Sequence, residues 1–80
     1  MHELALTQEI VSIACKAANG CQVHTVTLEV GRQTCVSPDA LNFCFDVVAQ
    51  GTLAQGARLH IRRTDGDELN VTTIQIEEAA

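Results

Sequence analysis

Aromatic and basic side chains are scarce in this 80-residue sequence, and tryptophan and tyrosine are absent. Phe43 and Phe45 are the two aromatic residues, so few side chains could stack on the bases or sugars of a ligand. Five basic residues against ten acidic ones give a net charge of −5, and an acidic surface repels phosphate backbones and anionic lipid. The composition therefore weighs against nucleic-acid binding and against membrane binding.

Long apolar runs, export signals and closely paired cysteines are also missing. No segment approaches the roughly 18 consecutive apolar residues that a membrane-spanning helix needs. The first residues lack the basic and apolar regions of a signal peptide, which predicts a cytoplasmic location. The sequence contains no C-x-x-C pair, the usual sign of a structural zinc site. We therefore expect the cysteines to be free thiols in a reducing compartment. The four cysteines are Cys15, Cys21, Cys35 and Cys44.

The apolar content is 46%, which is enough for the core of a single domain covering residues 1–80. A first helix is predicted over residues 4–18, because its apolar residues recur with the spacing of a helical face. Asn19-Gly20 then provides a stop. The predicted apolar face consists of Leu6, Ile10, Ile13, Ala14 and Ala17.

A second helix is predicted to begin at Ser37-Pro38-Asp39, where serine caps the helix, proline occupies the first turn and aspartate opposes the helix dipole. It ends before Gly51. Phe43 and Val47 form a second apolar face, and we therefore expect this helix to be buried on several sides. The main apolar face is formed by Leu41, Cys44, Phe45 and Val48.

Three segments alternate between apolar and polar residues as half-buried strands do: 23–30, 57–63 and 69–77. Asp65-Gly66 predicts a two-residue hairpin between the last two strands, and a change of apolar parity predicts a bulge near Thr72-Thr73. The predicted fold is α+β, in the order α-β-α-β-β. Two helices pack on one face of a three-stranded mixed sheet in which the first two strands are parallel, whereas the order of the strands stays open.

The N-terminal residues Met1-His2-Glu3 offer an all-nitrogen chelate. Its donors are the Met1 amine, the His2 backbone and side-chain nitrogens, and the Glu3 backbone nitrogen. Such a tetragonal set suits Ni(II) or Cu(II). The residues alone leave two interpretations open, since a histidine at position 2 is commonly solvated and Glu3 also favours the start of a helix through the dipole.

Several segments, spread over the whole chain, are similar to the HypA/HybF family of nickel-incorporation proteins. They are Met-His-Glu-Leu-Ala-Leu at the start, Cys-Val-Ser-Pro-Asp-Ala-Leu-Asn-Phe-Cys-Phe-Asp in the middle, Gly-Thr-Leu-Ala-Gln-Gly-Ala, and Asp-Glu-Leu-Asn-Val-Thr-Thr-Ile-Gln-Ile-Glu near the end. The resemblance implies that Met1, His2 and Glu3 bind Ni(II), with His2 as the indispensable side chain. It implies a metallochaperone for [NiFe]-hydrogenase maturation, not an enzyme, with the HypB GTPase and the hydrogenase large-subunit precursor as partners.

The sequence departs from the family at two places. Family members carry a zinc module with two C-x-x-C pairs, where this chain has only a tight turn near residues 64–67. We therefore expect no structural zinc, and the partner contacts of that module are in doubt. Ser37 stands where many relatives have an acidic residue near the metal, and it is better explained as a helix cap.

Two other functions stay open from the sequence. A metal-free protein-interaction module would keep the fold without delivering metal, and a thiol enzyme would require an exposed cysteine of low pKa. His24 and His60 are expected on the surface rather than as ligands. Arg58, Arg62 and Arg63 form a basic patch that would suit an acidic partner. Exposed strand edges would allow a homodimer.

Overall fold

The computed structural model describes residues 3–77 and confirms the predicted order of elements. A short 3-10 turn at Arg32–Thr34 lies between the first strand and the second helix. None of the helices among the described residues is long and apolar enough to cross a membrane. The helices and strands are α1 (Glu3–Ala18), β1 (Val23–Gly31), α2 (Pro38–Val48), β2 (Arg58–Thr64) and β3 (Leu69–Ile76).

The core lies between the two helices and the central strand β1. Val26, Leu28 and Val30 alternate along β1 and are completely or almost completely buried, as their period of two predicts. Leu41 and Phe45 of α2 are buried against the same face of the sheet. The described residues bury an aliphatic core in which Phe45 is the largest fully buried side chain.

The sheet has the strand order β2-β1-β3, and this order corrects the predicted hairpin. β1 pairs with β2 in parallel and with β3 antiparallel, so β2 and β3 are not neighbours. Residues 65–68 must therefore cross the end of β1 instead of making a two-residue hairpin turn. The Asp65-Gly66 pattern is local and carries no information about a third strand lying between the two that it connects.

The predicted bulge in β3 is confirmed. Thr27 pairs with Thr73 and the next residue, Leu28, pairs with Val71, which leaves Thr72 as the extra residue. The bulge places both Val71 and Ile74 against the core, although they are three positions apart and would otherwise face opposite sides of the sheet.

Four predicted core positions are wrong. Ile13 and Ala17 of α1 are exposed, Ile13 by 51%. Phe43 and Val47 of α2 are 71% and 51% exposed. With only two helices on one face of the sheet, each helix keeps a side that no other described element covers. The buried face of α1 instead includes Thr7, Val11 and Ala18.

The start of α2 is confirmed as a capped N-terminus. The Ser37 hydroxyl accepts a hydrogen bond from the Ala40 backbone N–H at 3.3 Å, and Pro38 occupies the first turn. Asp39 lies in the same turn, near the positive end of the helix dipole.

We expect Ser37→Ala to lower the free energy of unfolding by about 1 kcal/mol, because it removes the acceptor for one otherwise unpaired helix N–H. Ser12→Ala makes the same chemical change at an exposed position inside α1 and should leave stability unchanged or slightly raised. Urea unfolding of both variants measures the difference. Equal losses in the two variants would contradict a capping role for Ser37.

Candidate functional site

The candidate metal end of the chain precedes and includes the first residue of α1. Met1 and His2, two of the three predicted nickel-binding residues, lie outside the described residues. Glu3 begins α1, and its carboxylate oxygen Oε2 lies 3.5 Å from the backbone nitrogen of Ser37, which donates to it. The start of α1 is thus in contact with the residue that caps α2.

A buried threonine fixes the first turn of α1. The Thr7 side chain is fully buried and donates from its hydroxyl towards the carbonyl oxygens of Glu3, at 3.0 Å, and Leu4, at 2.8 Å. These carbonyls are within hydrogen-bonding reach of one hydroxyl, so the buried polar group is satisfied. The turn that carries Glu3 is therefore held from inside the domain.

The segment that crosses β1 lies at the end of the sheet where β1 leads towards α2. The Gly31 N–H donates to the Glu68 carbonyl at 2.7 Å, and the Gln33 N–H donates to the Gly66 carbonyl at 3.0 Å. An exposed ion pair joins Arg32 to Asp65 at 2.8 Å. These contacts fix the short connection between β2 and β3 onto the end of β1.

The remaining candidate ligands do not gather into a site. Residues 3–77 contain no group of three or more histidine, cysteine, aspartate or glutamate side chains placed to hold a metal ion. His24 and His60 are exposed, as predicted, and His24 Nδ1 lies 2.8 Å from the hydroxyl of Thr25. The prediction that His24 and His60 lie on the surface is confirmed.

The four cysteines are free thiols. Cys15 and Cys44 lie on α1 and α2, while Cys21 and Cys35 lie in connections, as the sequence predicts. Cys35 is exposed and adopts a left-handed backbone conformation with φ of 60°. Its sulfur lies 3.9 Å from the Gln33 carbonyl oxygen, a weak contact.

Two concave regions of the described residues are notable, and Glu3 lines neither of them. An apolar groove of about 680 Å³ lies where Val11 and Cys15 of α1 face Val48 and Leu53. A smaller polar cavity of about 150 Å³ lies at the beginning of β1 and β2, beside His24 and Arg58.

The sequence patterns did not reveal the two features that support this end of the domain. Thr7 was not predicted as buried because a hydroxyl gives no apolar signal, although threonine can bond to carbonyls one turn earlier in a helix. The contact between Glu3 and Ser37 joins residues 34 positions apart, and such a pairing becomes visible only in the folded chain.

Comparison with known proteins gives a consistent result over most of the chain. A family model described as "Hydrogenase/urease nickel incorporation, metallochaperone, hypA" matches residues 1–70. The hydrogenase maturation factor HypA of Crocosphaera subtropica is 47% identical over 66 residues, which cover 82% of this chain and 58% of that protein. The HypA protein of Geobacter metallireducens is 48% identical over 66 residues, covering 82% and 60%.

Comparison with solved structures supports the fold. The solution structure of the Ni metallochaperone HypA from Helicobacter pylori matches with a TM-score of 0.69 at 13% identity, over 98% of this chain and 88% of that chain. At this identity the likeness concerns the fold alone. The curated relatives are longer proteins, since this chain spans less than two thirds of the length of those that it matches.

Proposed function

Since the chain belongs to the HypA family of nickel-incorporation proteins, we propose that it binds Ni(II) at its N-terminus and carries the ion for hydrogenase maturation. The observation that carries this proposal is the family match itself, which begins at residue 1 and so includes Met1, His2 and Glu3. The ion is cargo for this chain and not a resident cofactor. The proposed role is transport without catalysis.

The proposed ligands are four nitrogen atoms of the first three residues. The Met1 amine, the His2 amide and imidazole, and the Glu3 amide would surround Ni(II) in a square plane, the geometry that this ion accepts from strong nitrogen donors. Nitrogen donors at a chain end can be displaced from the metal ion one after another, beginning with the Met1 amine. Such a site is better suited to transfer than to storage.

In this proposal the Glu3 side chain is not a ligand but holds the start of α1. Its carboxylate faces the Ser37 N–H, and its own carbonyl accepts from buried Thr7. Both contacts fix the residue that follows His2, while the metal would take only the Glu3 backbone nitrogen. The folded domain would therefore present the chelate at a defined place beside the start of α2.

The proposed partners are those that the resemblance implies, the HypB GTPase and the hydrogenase large-subunit precursor. The zinc module of the family is proposed to be replaced here by residues 65–68, a connection too short to hold two C-x-x-C pairs. We expect no structural zinc in the domain. Hydrogen bonds from Gly31 and Gln33 hold this connection in place without a metal.

The experiment that tests the proposal compares Ni(II) binding by the untagged chain with its free Met1 amine and by the same chain acetylated at that amine. We expect one equivalent of Ni(II) to bind the free form, and acetylation to weaken binding at least about tenfold by removing one donor. Circular dichroism checks that both forms are folded. Equal binding by the two forms would contradict a terminal chelate.

Nickel binding should also strengthen as pH rises from about 6 to 8. The imidazole ligand must be neutral and the amide ligands must lose their protons, so binding releases protons and is favoured by their removal. Calorimetric titration in two buffers of different ionisation enthalpy measures the number of protons released. Affinity that is independent of pH would contradict the proposed donor set.

A further inference from the structure

The basic residues of this acidic chain are concentrated on one strand. Three of the five lysines and arginines lie on β2, whose sequence is Arg-Leu-His-Ile-Arg-Arg-Thr. Arg58, His60 and Arg62 alternate with Leu59, which is buried on the side of the helices. These three exposed residues therefore form a column on the open face of the sheet, and its two arginines carry positive charge.

The same strand is an edge of the sheet. β2 pairs with β1 over Arg58–Thr64 and has no second strand neighbour among the described residues. Every other residue of an edge strand directs its backbone N–H and C=O away from the sheet, where they can pair with an added strand. β2 thus combines a free hydrogen-bonding edge with a row of positive charge.

The charge of the column is only partly compensated. Arg62 lies 3.7 Å from Glu29 on the neighbouring strand, in a long ion pair whose arginine is 63% exposed. Within residues 3–77 Arg58 makes no ion pair, and His60 pairs in register with the uncharged Thr27. Guanidinium groups present forked donors that match carboxylates.

We propose that the free edge of β2 binds an extended acidic segment of a partner protein by strand addition. The backbone of the added segment pairs with the outward backbone groups of β2. Its acidic side chains, at every second position, face Arg58, His60 and Arg62, and the intervening residues face the side of the helices. The main-chain bonds supply affinity, and the charge pattern selects the sequence.

Charged residues on an edge strand ordinarily prevent it from pairing with another edge strand, and this is the alternative explanation for the arginines of β2. Mixed or negative charges would prevent association equally well in a chain of net charge −5. The column has a single sign, opposite to that of the whole molecule. It repels a second copy of β2 and attracts an acidic strand, which favours an acidic partner over a second copy of this chain.

The test uses a fluorescein-labelled nonapeptide in which glutamate and valine alternate, with fluorescence anisotropy as the readout. We expect saturable binding that the Arg58→Gln/Arg62→Gln double variant weakens roughly tenfold or more, since two charge pairs are lost. The Lys16→Gln/Arg63→Gln variant removes the same charge from exposed residues outside the column, because Arg63 alternates with Arg62 along β2, and it should bind as the parent does. Circular dichroism confirms the fold of each variant.

Two further peptides separate strand addition from simple attraction between charges. A peptide with glutamine in place of glutamate, and one with N-methyl groups on alternate backbone amides, should both bind at least about tenfold more weakly. Equal binding by the N-methylated peptide, or equal losses in the two double variants, would overturn the proposal. A dimer of the free protein, detected by sedimentation and abolished by Arg58→Gln/Arg62→Gln, would assign the edge to a second copy and also overturn it.

This inference does not depend on nickel carriage, because it uses no residue of the Met1–Glu3 terminus. The peptide experiment is carried out without metal, so its failure leaves the proposed nickel site untouched. A failure to bind nickel would in turn leave the proposed binding of an acidic segment to β2 unaffected.

Discussion

Replacing Gly31 by alanine is expected to lower the free energy of unfolding by about 2–4 kcal/mol, the largest stability loss that we predict for a single methyl group in this chain. Gly31 ends β1 at the point where residues 65–68 cross over it. An added Cβ would run into the carbonyl group of Gly66 and would lie 2.8 Å from the backbone nitrogen of Asp67. These are backbone atoms, which cannot move aside as a flexible side chain can.

The backbone conformation of Gly31 does not explain the glycine. Its φ of −69° and ψ of 143° are ordinary extended values that alanine adopts freely. Alanine would even stabilise the strand slightly by lowering the entropy of the unfolded chain. The predicted loss therefore reports only the close crossing, which the hydrogen bonds from Gly31 to Glu68 and from Gln33 to Gly66 hold in place.

Gly51→Ala is the matched control for this prediction. Gly51 has a positive φ of 77°, and a Cβ added there would meet no atom of the described residues within 4 Å. Alanine at this position therefore costs only its conformational strain, about 1 kcal/mol. Thermal unfolding should place Gly31→Ala more than about 5 °C below Gly51→Ala. A Gly31→Ala variant as stable as the control would show that the segment 65–68 does not cross closely over β1.

The helices and the bulge could be predicted from the sequence because their causes are local. Ser37-Pro38-Asp39 specifies a helix start through one hydroxyl and one missing N–H, and the structure confirms the cap. The change of apolar parity between Val71 and Ile74 predicts the extra residue in β3, which is also confirmed. In each case the residues whose pattern predicts the cap or the bulge are the same residues that form it.

Predictions that required knowledge of neighbouring elements were the ones that failed. Asp65-Gly66 suits a hairpin, but β1 lies between the strands that it connects, and the strand order depends on pairings far apart in sequence. Phe43 and Val47 are apolar and yet exposed because no third layer among the described residues covers that side of α2. At the candidate site, the ligand set Met1-His2-Glu3 stays a prediction, and the hydrogen bond from Thr7 to the Glu3 carbonyl was not predicted from the sequence.

Replacing His2 by alanine is expected to weaken Ni(II) binding about a hundredfold or more. The imidazole is the one side-chain donor in the proposed set, and it closes a chelate ring with the His2 backbone nitrogen. Loss of a direct ligand should exceed the roughly 10–100-fold cost of removing a group that merely supports a ligand. Circular dichroism of the variant checks that the domain remains folded.

The chain supplies matched controls for this variant in its two other histidines. His24 and His60 are exposed, and no metal-binding cluster forms around them within residues 3–77. His24→Ala and His60→Ala should therefore bind one equivalent of Ni(II) as the parent does. A loss in either control comparable to that of His2→Ala would place the ion elsewhere.

Ni(II) titration of the untagged chain beside His2→Ala, followed by visible absorption and calorimetry at neutral pH, tests the central claim most directly. We predict one equivalent bound by the parent with the spectrum of diamagnetic, square-planar Ni(II), and loss of both the heat and the spectrum in the variant. Folded parent protein that binds no Ni(II), or a variant that retains the same spectrum, would contradict nickel carriage by the N-terminus.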